Sequence, residues 1–261
     1  WNGIPNASPD TAVSSVFMNK EFSQIAARGL GIPVARSFAV SEREWLEDGE
    51  AVVQKVKQLG FPVIVKPSRL GSSIGIKVAK NDEELAAALT LAFRLDDGVL
   101  LEEYFLHKRD INCAAYKKGG EIIVSLCEEV FSDQEILTFS EKYEGTGMRG
   151  GQLPADLPEE ISEQIQEYTK LLYESFHVRG VVRADFLIAD GNVYFNELNT
   201  VPGSLACYLF GESLTHTKNF LVSLVEEALS ARAVEKEIVC TGILNDSVFG
   251  GGKGRKRLRA R

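Results

Sequence analysis

Four polar residues lie at two-residue spacings in the stretch 181–203, VVRADFLIADGNVYFNELNTVPG. Arg183 and Asp185 fall on the first of two predicted strands, and Glu197 and Asn199 fall on the second. Side chains two residues apart on a strand share a face, so each strand offers its pair to one side. Two carboxylates and an amide oxygen together make a hard, oxygen-only site that suits Mg²⁺. The types and spacing of these residues therefore indicate metal-dependent chemistry.

Whether the two pairs meet depends on the register of the hairpin, whose Asp-Gly turn is a strong hairpin signal. A two-residue loop, 190–191, sets Asp185 opposite Asn196, whereas a three-residue loop, 190–192, sets Asp185 opposite Glu197. Because one slip turns every side chain to the other face, only an odd loop or a bulge gathers the whole set. We predict the odd register, in which Asp185 lies opposite Glu197 and Arg183 lies opposite Asn199. From spacing alone, an exposed polar face on an edge hairpin explains the residues equally well.

A second motif suits phosphate. Lys66 ends a short apolar strand and is followed by a loop of small residues, 67–75, PSRLGSSIG. Small residues let backbone N–H groups approach an anion closely, although no Walker A Gly-Lys-Ser/Thr follows. A Gly/Ser hairpin turn explains the loop equally well, but a lysine at the strand end favours phosphate.

Composition limits the classes of partner. The chain has 261 residues, 44% of them apolar, and a net charge of −8. It contains no apolar run near the ~20 residues that span a bilayer, and its acidity argues against nucleic acid. Four scattered cysteines indicate reduced thiols in a cytoplasmic protein. The basic tail after residue 252 lacks core periodicity and is predicted to be disordered.

The elements that position these motifs alternate between helices and strands. We predict a helix over 14–28 carrying Lys20, a helix ending at Leu59 and a helix beginning after Asn81. Later helices begin at Pro158 and Leu214. Strands are predicted over 33–40, 62–66, 99–105, 109–116 and 121–126, together with one ending at Val78. The fold class is therefore α+β, with two lobes meeting around residues 99–110.

One long polar interval, 131–157, contains Lys142 and Tyr143. Long irregular loops in compact domains are usually functional lids or disordered, and these two residues favour a lid.

The ordered set of motifs resembles the D-alanine–D-alanine ligases of the ATP-grasp superfamily, over roughly residues 1–230. The set comprises Lys20, Val65–Ser68, Gly71–Gly75, Leu101–Tyr104, Lys142-Tyr143, Arg183–Asp185 and Glu197–Gly203. The resemblance implies an ATP-grasp fold with ATP held between two lobes. It also implies that the family's amino-terminal domain is missing, so that residues 1–19 form a linker, 20–100 the central lobe, 101–232 the carboxy-terminal lobe and 233–261 a tail.

The resemblance implies a role for each matching residue. Lys20, Lys66 and Lys142 would meet the phosphates, and the loop with Ser72 and Ser73 would close over them. The adenine and ribose would be met by Glu102, Glu103, Tyr104, Phe105 and Asp110. Two Mg²⁺ ions, or Mn²⁺ in their place, would be held by Asp185, Glu197 and Asn199.

The family reaction forms an acyl phosphate from one D-alanine, which the amine of a second D-alanine attacks in peptidoglycan precursor synthesis. Arg183 and the backbone N–H of Gly203 would stabilise the oxyanion, and Ser72 and Tyr143 fall in the catalytic set. The expected partners are small molecules and a second copy of the chain. Tyr208 stands where the family has the serine that binds the acceptor carboxylate. Another amino acid or peptide acceptor, and an ATP-binding fragment that is inactive alone, therefore remain open.

Overall fold

The computed structural model describes residues 4–131, 150–211 and 213–230, and Pro5–Ala231 form one compact unit. Within these ranges the chain forms two sheets, and all neighbouring strands in both are antiparallel. Helices pack against each sheet. The predicted α+β class is confirmed.

The first sheet has the strand order β1-β4-β2-β3. Its strands are β1 (Ser37–Ser41), β2 (Val63–Pro67), β3 (Lys77–Ala79) and β4 (Gly98–Glu103). Helices α3 (Glu42–Leu59) and α4 (Asp82–Phe93) cover it with an apolar core that includes Val56, Leu85 and Leu101. As predicted, Gly60 ends α3, and the Asn81 side chain caps α4 by accepting from the Glu84 N–H.

The second sheet carries the predicted metal ligands and has the order β10-β9-β5-β7-β8, with β6 paired to β5. Its strands are β5 (Arg109–Lys118), β6 (Glu121–Val124), β7 (Glu128–Val130), β8 (Gly151–Gln152), β9 (Val182–Ala189) and β10 (Asn192–Asn199). Helices α5 (Glu159–Ser175) and α6 (Leu214–Ser230) pack on it, and a 3₁₀ segment spans Gly203–Phe210. Val182, Ala184 and Phe186 alternate with the polar pair on β9 and are at most 1% exposed, so this face of the strand forms part of the core.

The helix predicted over 14–28 is wrong in one respect, because two helices occupy this stretch. They are α1 (Thr11–Met18) and α2 (Lys20–Gly29). Asn19 lies between them in extended backbone, and its side chain accepts from the Phe22 N–H. A short amide side chain competes well for helix N-terminal donors, so it starts a new helix here and does not continue the old one.

Both α1 and α2 pack into the core of the second sheet. The chain passes from the first sheet to the second between Glu103 and Arg109. The predicted limits of the linker and the two lobes stay a prediction, and the tail 233–261 lies outside the described residues. In the part of the chain that the structure describes, no helix is long and apolar enough to cross a membrane.

Candidate functional site

The hairpin β9–β10 turns through two residues, Asp190 (φ 49°) and Gly191 (φ 75°), so a three-residue loop does not form. Both lie in the left-handed region that two-residue hairpin turns favour. A regular ladder from this turn would set Asp185 opposite Asn196. The ladder instead shifts between Phe195 and Glu197, which leaves Asn196 as the extra residue of a β-bulge.

The bulge restores the odd register, so the predicted register is confirmed. Asp185 pairs with Glu197, and Arg183 pairs with Asn199. Residues directly opposite each other in an antiparallel pair share a face. All four side chains therefore gather on one side of the second sheet, which we call the polar face.

Asp185 is the centre of the hydrogen bonds on the polar face. Arg183 donates to both of its oxygens, from Nε to Oδ1 at 2.7 Å and from Nη2 to Oδ2 at 2.8 Å. Asn199 Nδ2 donates to Oδ2 at 2.9 Å. The two ion-paired side chains are only 16% and 15% exposed. The charge of Asp185, more than any other group, holds the pKa of Arg183 above its usual range, so the guanidinium is a permanent cation here.

The donor set on the polar face fits a hard divalent ion. Asp185 and Glu197 are adjacent across the ladder, and the amide of Asn199 uses its nitrogen on Asp185, which leaves its oxygen for a ligand. Among the described residues, no three His, Cys, Asp or Glu side chains cluster as a metal site. A third protein ligand on this face would therefore be the Asn199 amide oxygen.

Lys66 lies in a buried polar network between the two sheets. Its Nζ donates to Glu102 Oε1 at 2.6 Å and to Asn196 Oδ1 at 3.2 Å. Gln24 Nε2 donates to the other oxygen of Glu102. Through Asn196, the predicted phosphate lysine is therefore linked to the strand that carries two of the predicted metal ligands.

The small-residue loop lies beside both predicted phosphate lysines. Lys20 donates its backbone N–H to the Ser68 carbonyl at 2.8 Å, and its Nζ donates to the carbonyl of Leu70. Ser72 and Ser73 both have left-handed backbone, at φ 56° and 58°. Consecutive residues outside the usual regions are a form of backbone strain that tends to occur at ligand-binding loops.

The residues predicted to meet the adenine and ribose have different partners in the structure. The buried carboxylate of Glu102 belongs to the Lys66 network, and Glu103 accepts from Arg36 Nε at 2.7 Å. Tyr104 is half-buried. The ring of Phe105 stacks on that of Tyr194, with centroids 4.8 Å apart. Asp110 accepts from Lys108 Nζ at 2.7 Å. Their roles toward a nucleotide stay predictions.

The segment after β10 brings Tyr208 to the polar face. Gly203 opens the 3₁₀ segment, and the next three residues, 204–206, all have left-handed φ between 50° and 52°. Tyr208 Oη donates to Glu128 Oε2 at 3.0 Å. Burial, followed by the charge of Glu128, raises the pKa of Tyr208 to about 12. Its hydroxyl therefore remains a donor at neutral pH.

Sequence reasoning missed several residues of this region: Gln24, Asn112, Glu128, Tyr194 and Asn196. Asn112 and Glu128 reach the polar face only through strand pairing between distant segments, which no local spacing encodes. Lys142 and Tyr143 lie outside the described residues.

Comparison with known proteins places this geometry in a family. The model of the D-ala D-ala ligase C-terminus matches residues 26–239. A D-alanine–D-alanine ligase of Acetivibrio thermocellus is 35% identical over 235 residues, which are 87% of this chain and 61% of the relative. One of Wolinella succinogenes is 35% identical over 79% of this chain and 57% of the relative.

Solved structures of ligases are also similar to this chain. A D-alanine–D-alanine ligase from Helicobacter pylori superposes with a TM-score of 0.66 at 29% identity, covering 88% of this chain and 63% of that one. The VanG D-Ala:D-Ser ligase from Enterococcus faecalis gives 0.69 at 26% identity, covering 88% and 66%. The fold is thus of the ATP-grasp type, and the chain spans about 60% of the length of these relatives. By the family model and by its relatives, the chain belongs to the D-alanine–D-alanine ligase family.

Proposed function

We propose that this chain is the nucleotide- and metal-binding part of an ADP-forming ligase that joins two D-alanine molecules through an acyl phosphate. The observation that carries the proposal is the bulged register of β9 and β10, which gathers Asp185, Glu197 and Asn199 on one face while the bulge residue accepts from the buried Lys66. Two carboxylates and an amide on one face, with a lysine against the adjoining bulge, suit a metal–triphosphate complex.

ATP would lie between the two sheets, with its phosphates near Lys66, Lys20 and the loop 67–75. Phosphoryl transfer needs positioning and neutralisation of charge more than covalent chemistry. Lysines at the loop supply part of that charge, and backbone N–H groups of a tight loop can supply hydrogen bonds. The aromatic pair Phe105 and Tyr194 offers a flat apolar surface on which a base could rest.

Asp185, Glu197 and Asn199 would hold Mg²⁺ or Mn²⁺, and we propose two ions. Bound divalent ions neutralise charge on the β- and γ-phosphates and orient them. Arg183 already shares the Asp185 carboxylate, so its guanidinium lies next to the place where a metal-bound phosphate would sit. With the Gly203 N–H, this cation would stabilise the oxyanion formed when an amine attacks the acyl phosphate.

The test measures ADP and phosphate release by the complete protein with and without D-alanine. Release that depends on D-alanine, together with D-alanyl-D-alanine as product, is the expected result. Release that D-alanine does not change would contradict the ligase and favour a nucleotide-binding module.

A second candidate is a ligase that uses another amino acid or a peptide as acceptor. Tyr208 favours it, because a tyrosine whose hydroxyl already bonds Glu128 replaces the serine expected there by resemblance. An acceptor screen in which D-alanine performs poorly would select this candidate. We also propose that the protein acts on small molecules in the cytoplasm. We propose further that it forms a homodimer, which light scattering of the complete protein would test.

A further inference from the structure

The polar face extends beyond the predicted metal ligands in a row across four strands. Glu197 on β10 pairs with Asp185 on β9, Asp185 pairs with Asn112 on β5, and Asn112 pairs with Glu128 on β7. The row therefore has two ends. Glu197 is at the end that adjoins Asn196, the bulge residue that Lys66 contacts, and Glu128 is at the far end.

At the far end, the Glu128 carboxylate accepts hydrogen bonds from described residues through only one of its two oxygens. Oε2 accepts from Asn112 Nδ2 at 3.1 Å and from Tyr208 Oη at 3.0 Å. Within the described part of the chain, Oε1 accepts no hydrogen bond. A Cβ on Gly151 would lie 3.3 Å from Oε1. Because glycine has no Cβ, that space beside Oε1 is open. An ionised carboxylate has about four acceptor sites, so Oε1 can still accept from a ligand.

The position of Glu128 relative to Arg183 fixes which substrate it would meet. This step rests on the proposed function, in which phosphates and metal lie at the Lys66 end and the acyl carbonyl lies at Arg183. The amine that attacks this carbonyl must then approach from the remaining side of the face. Glu128 and Tyr208 occupy that side, and Tyr208 is close enough to Arg183 for each to influence the pKa of the other.

We propose that Glu128 binds the ammonium group of the acceptor through Oε1, with Tyr208 and Asn112 as positioning residues that fix the carboxylate. The acceptor class that fits is an amine that arrives protonated, such as the zwitterion of a small amino acid, and that releases one proton to water before its nitrogen attacks the carbonyl. Its carboxylate would point away from Tyr208, because the negative charge of Glu128 repels a second carboxylate and the single O–H of Tyr208 is already donated.

The test is Glu128→Gln in the complete protein, with D-alanine and, separately, hydroxylamine as acceptor. Hydroxylamine traps the acyl phosphate as a hydroxamate. Because hydroxylamine is uncharged at neutral pH, its binding does not need the Glu128 carboxylate. The KM of D-alanine as acceptor is expected to rise roughly 10- to 100-fold, the effect of losing a hydrogen bond between charged groups. Hydroxamate formation is expected to stay within about twofold of the wild type.

Two further variants separate this role from a structural one. Tyr208→Phe keeps the ring but frees Glu128, so the acceptor KM is expected to rise by a smaller factor, about three- to tenfold. The matched control Glu121→Gln removes an exposed carboxylate at the start of β6 and should change neither reaction.

An unchanged acceptor KM in Glu128→Gln, or an equal loss of both reactions, would overturn the inference alone. If the wild type forms no hydroxamate with ATP, D-alanine and hydroxylamine, both the proposed function and this inference would be overturned.

Discussion

Replacing Lys66 should destabilise the fold even without a nucleotide, because its partner Glu102 is buried. The side chains of Lys66 and Glu102 are only 9% and 2% exposed, and Nζ lies 2.6 Å from Oε1. Breaking a buried pair by removing one partner costs about 3–5 kcal/mol, because the remaining charge is left uncompensated. The hydrogen bond from Gln24 to Glu102 survives and offsets part of this. We therefore expect Lys66→Met to lower the free energy of unfolding by about 3 kcal/mol.

The double variant Lys66→Met/Glu102→Gln separates folding from nucleotide binding. It removes both charges, and the new amide can still accept from Gln24. We expect the double variant to recover at least half of the lost free energy of unfolding, measured by urea denaturation with an unchanged dependence on urea concentration. We expect it still not to bind ATP in calorimetry. A single variant within about 1 kcal/mol of the wild type, or a double variant no more stable than the single one, would refute the reasoning. Nucleotide binding by the double variant would show that Lys66 acts in folding alone.

The remaining predictions concern stability. A Cβ on Gly180 (φ +68°) would lie 2.2 Å from the Ala7 carbonyl oxygen, so Gly180→Ala should cost more than about 2 kcal/mol by thermal denaturation. Gly191 (φ +75°) has open space, so Gly191→Ala should cost only about 1 kcal/mol, and equal losses would contradict the overlap argument. Burial raises the pKa of Glu227, whose carboxylate accepts from the Gly180 N–H. A raised carboxyl pKa favours the folded state below the unfolded pKa, and that contribution is lost as pH rises through the folded pKa. The stability of the wild type relative to Glu227→Gln should therefore fall as pH rises from about 4, and a constant difference would contradict this.

The sequence predicted most elements because their signals are local. Asn81 and Gly60 mark helix ends by capping chemistry, and the Asp-Gly pair marks the hairpin turn. The break at Asn19 was missed, since an asparagine inside a helical pattern does not by itself show whether it will cap a new helix.

The odd register of the candidate site could be predicted from the need to gather the carboxylates, but the sequence did not show whether a loop or a bulge produces it. The Asp-Gly turn favoured a two-residue loop, and gathering the carboxylates required an odd count. A bulge at Asn196 satisfies both, and the side chain of Asn196 bonds Lys66, which lies 130 residues away in sequence. Asn112 and Glu128 likewise join the polar face through pairing between distant strands. Such contacts arise from tertiary packing, which a single sequence does not encode by spacing.

The most direct test of the account is whether Glu197 helps to bind a divalent metal together with a nucleotide. Mn²⁺ binding to the complete protein, followed by electron paramagnetic resonance with a non-hydrolysable ATP analogue, gives a readout independent of turnover. Glu197→Gln should weaken Mn²⁺ binding roughly 10- to 100-fold while the analogue still binds weakly without metal, and Glu121→Gln should match the wild type. Unchanged Mn²⁺ affinity in Glu197→Gln would contradict the claim that the bulged hairpin builds a metal site.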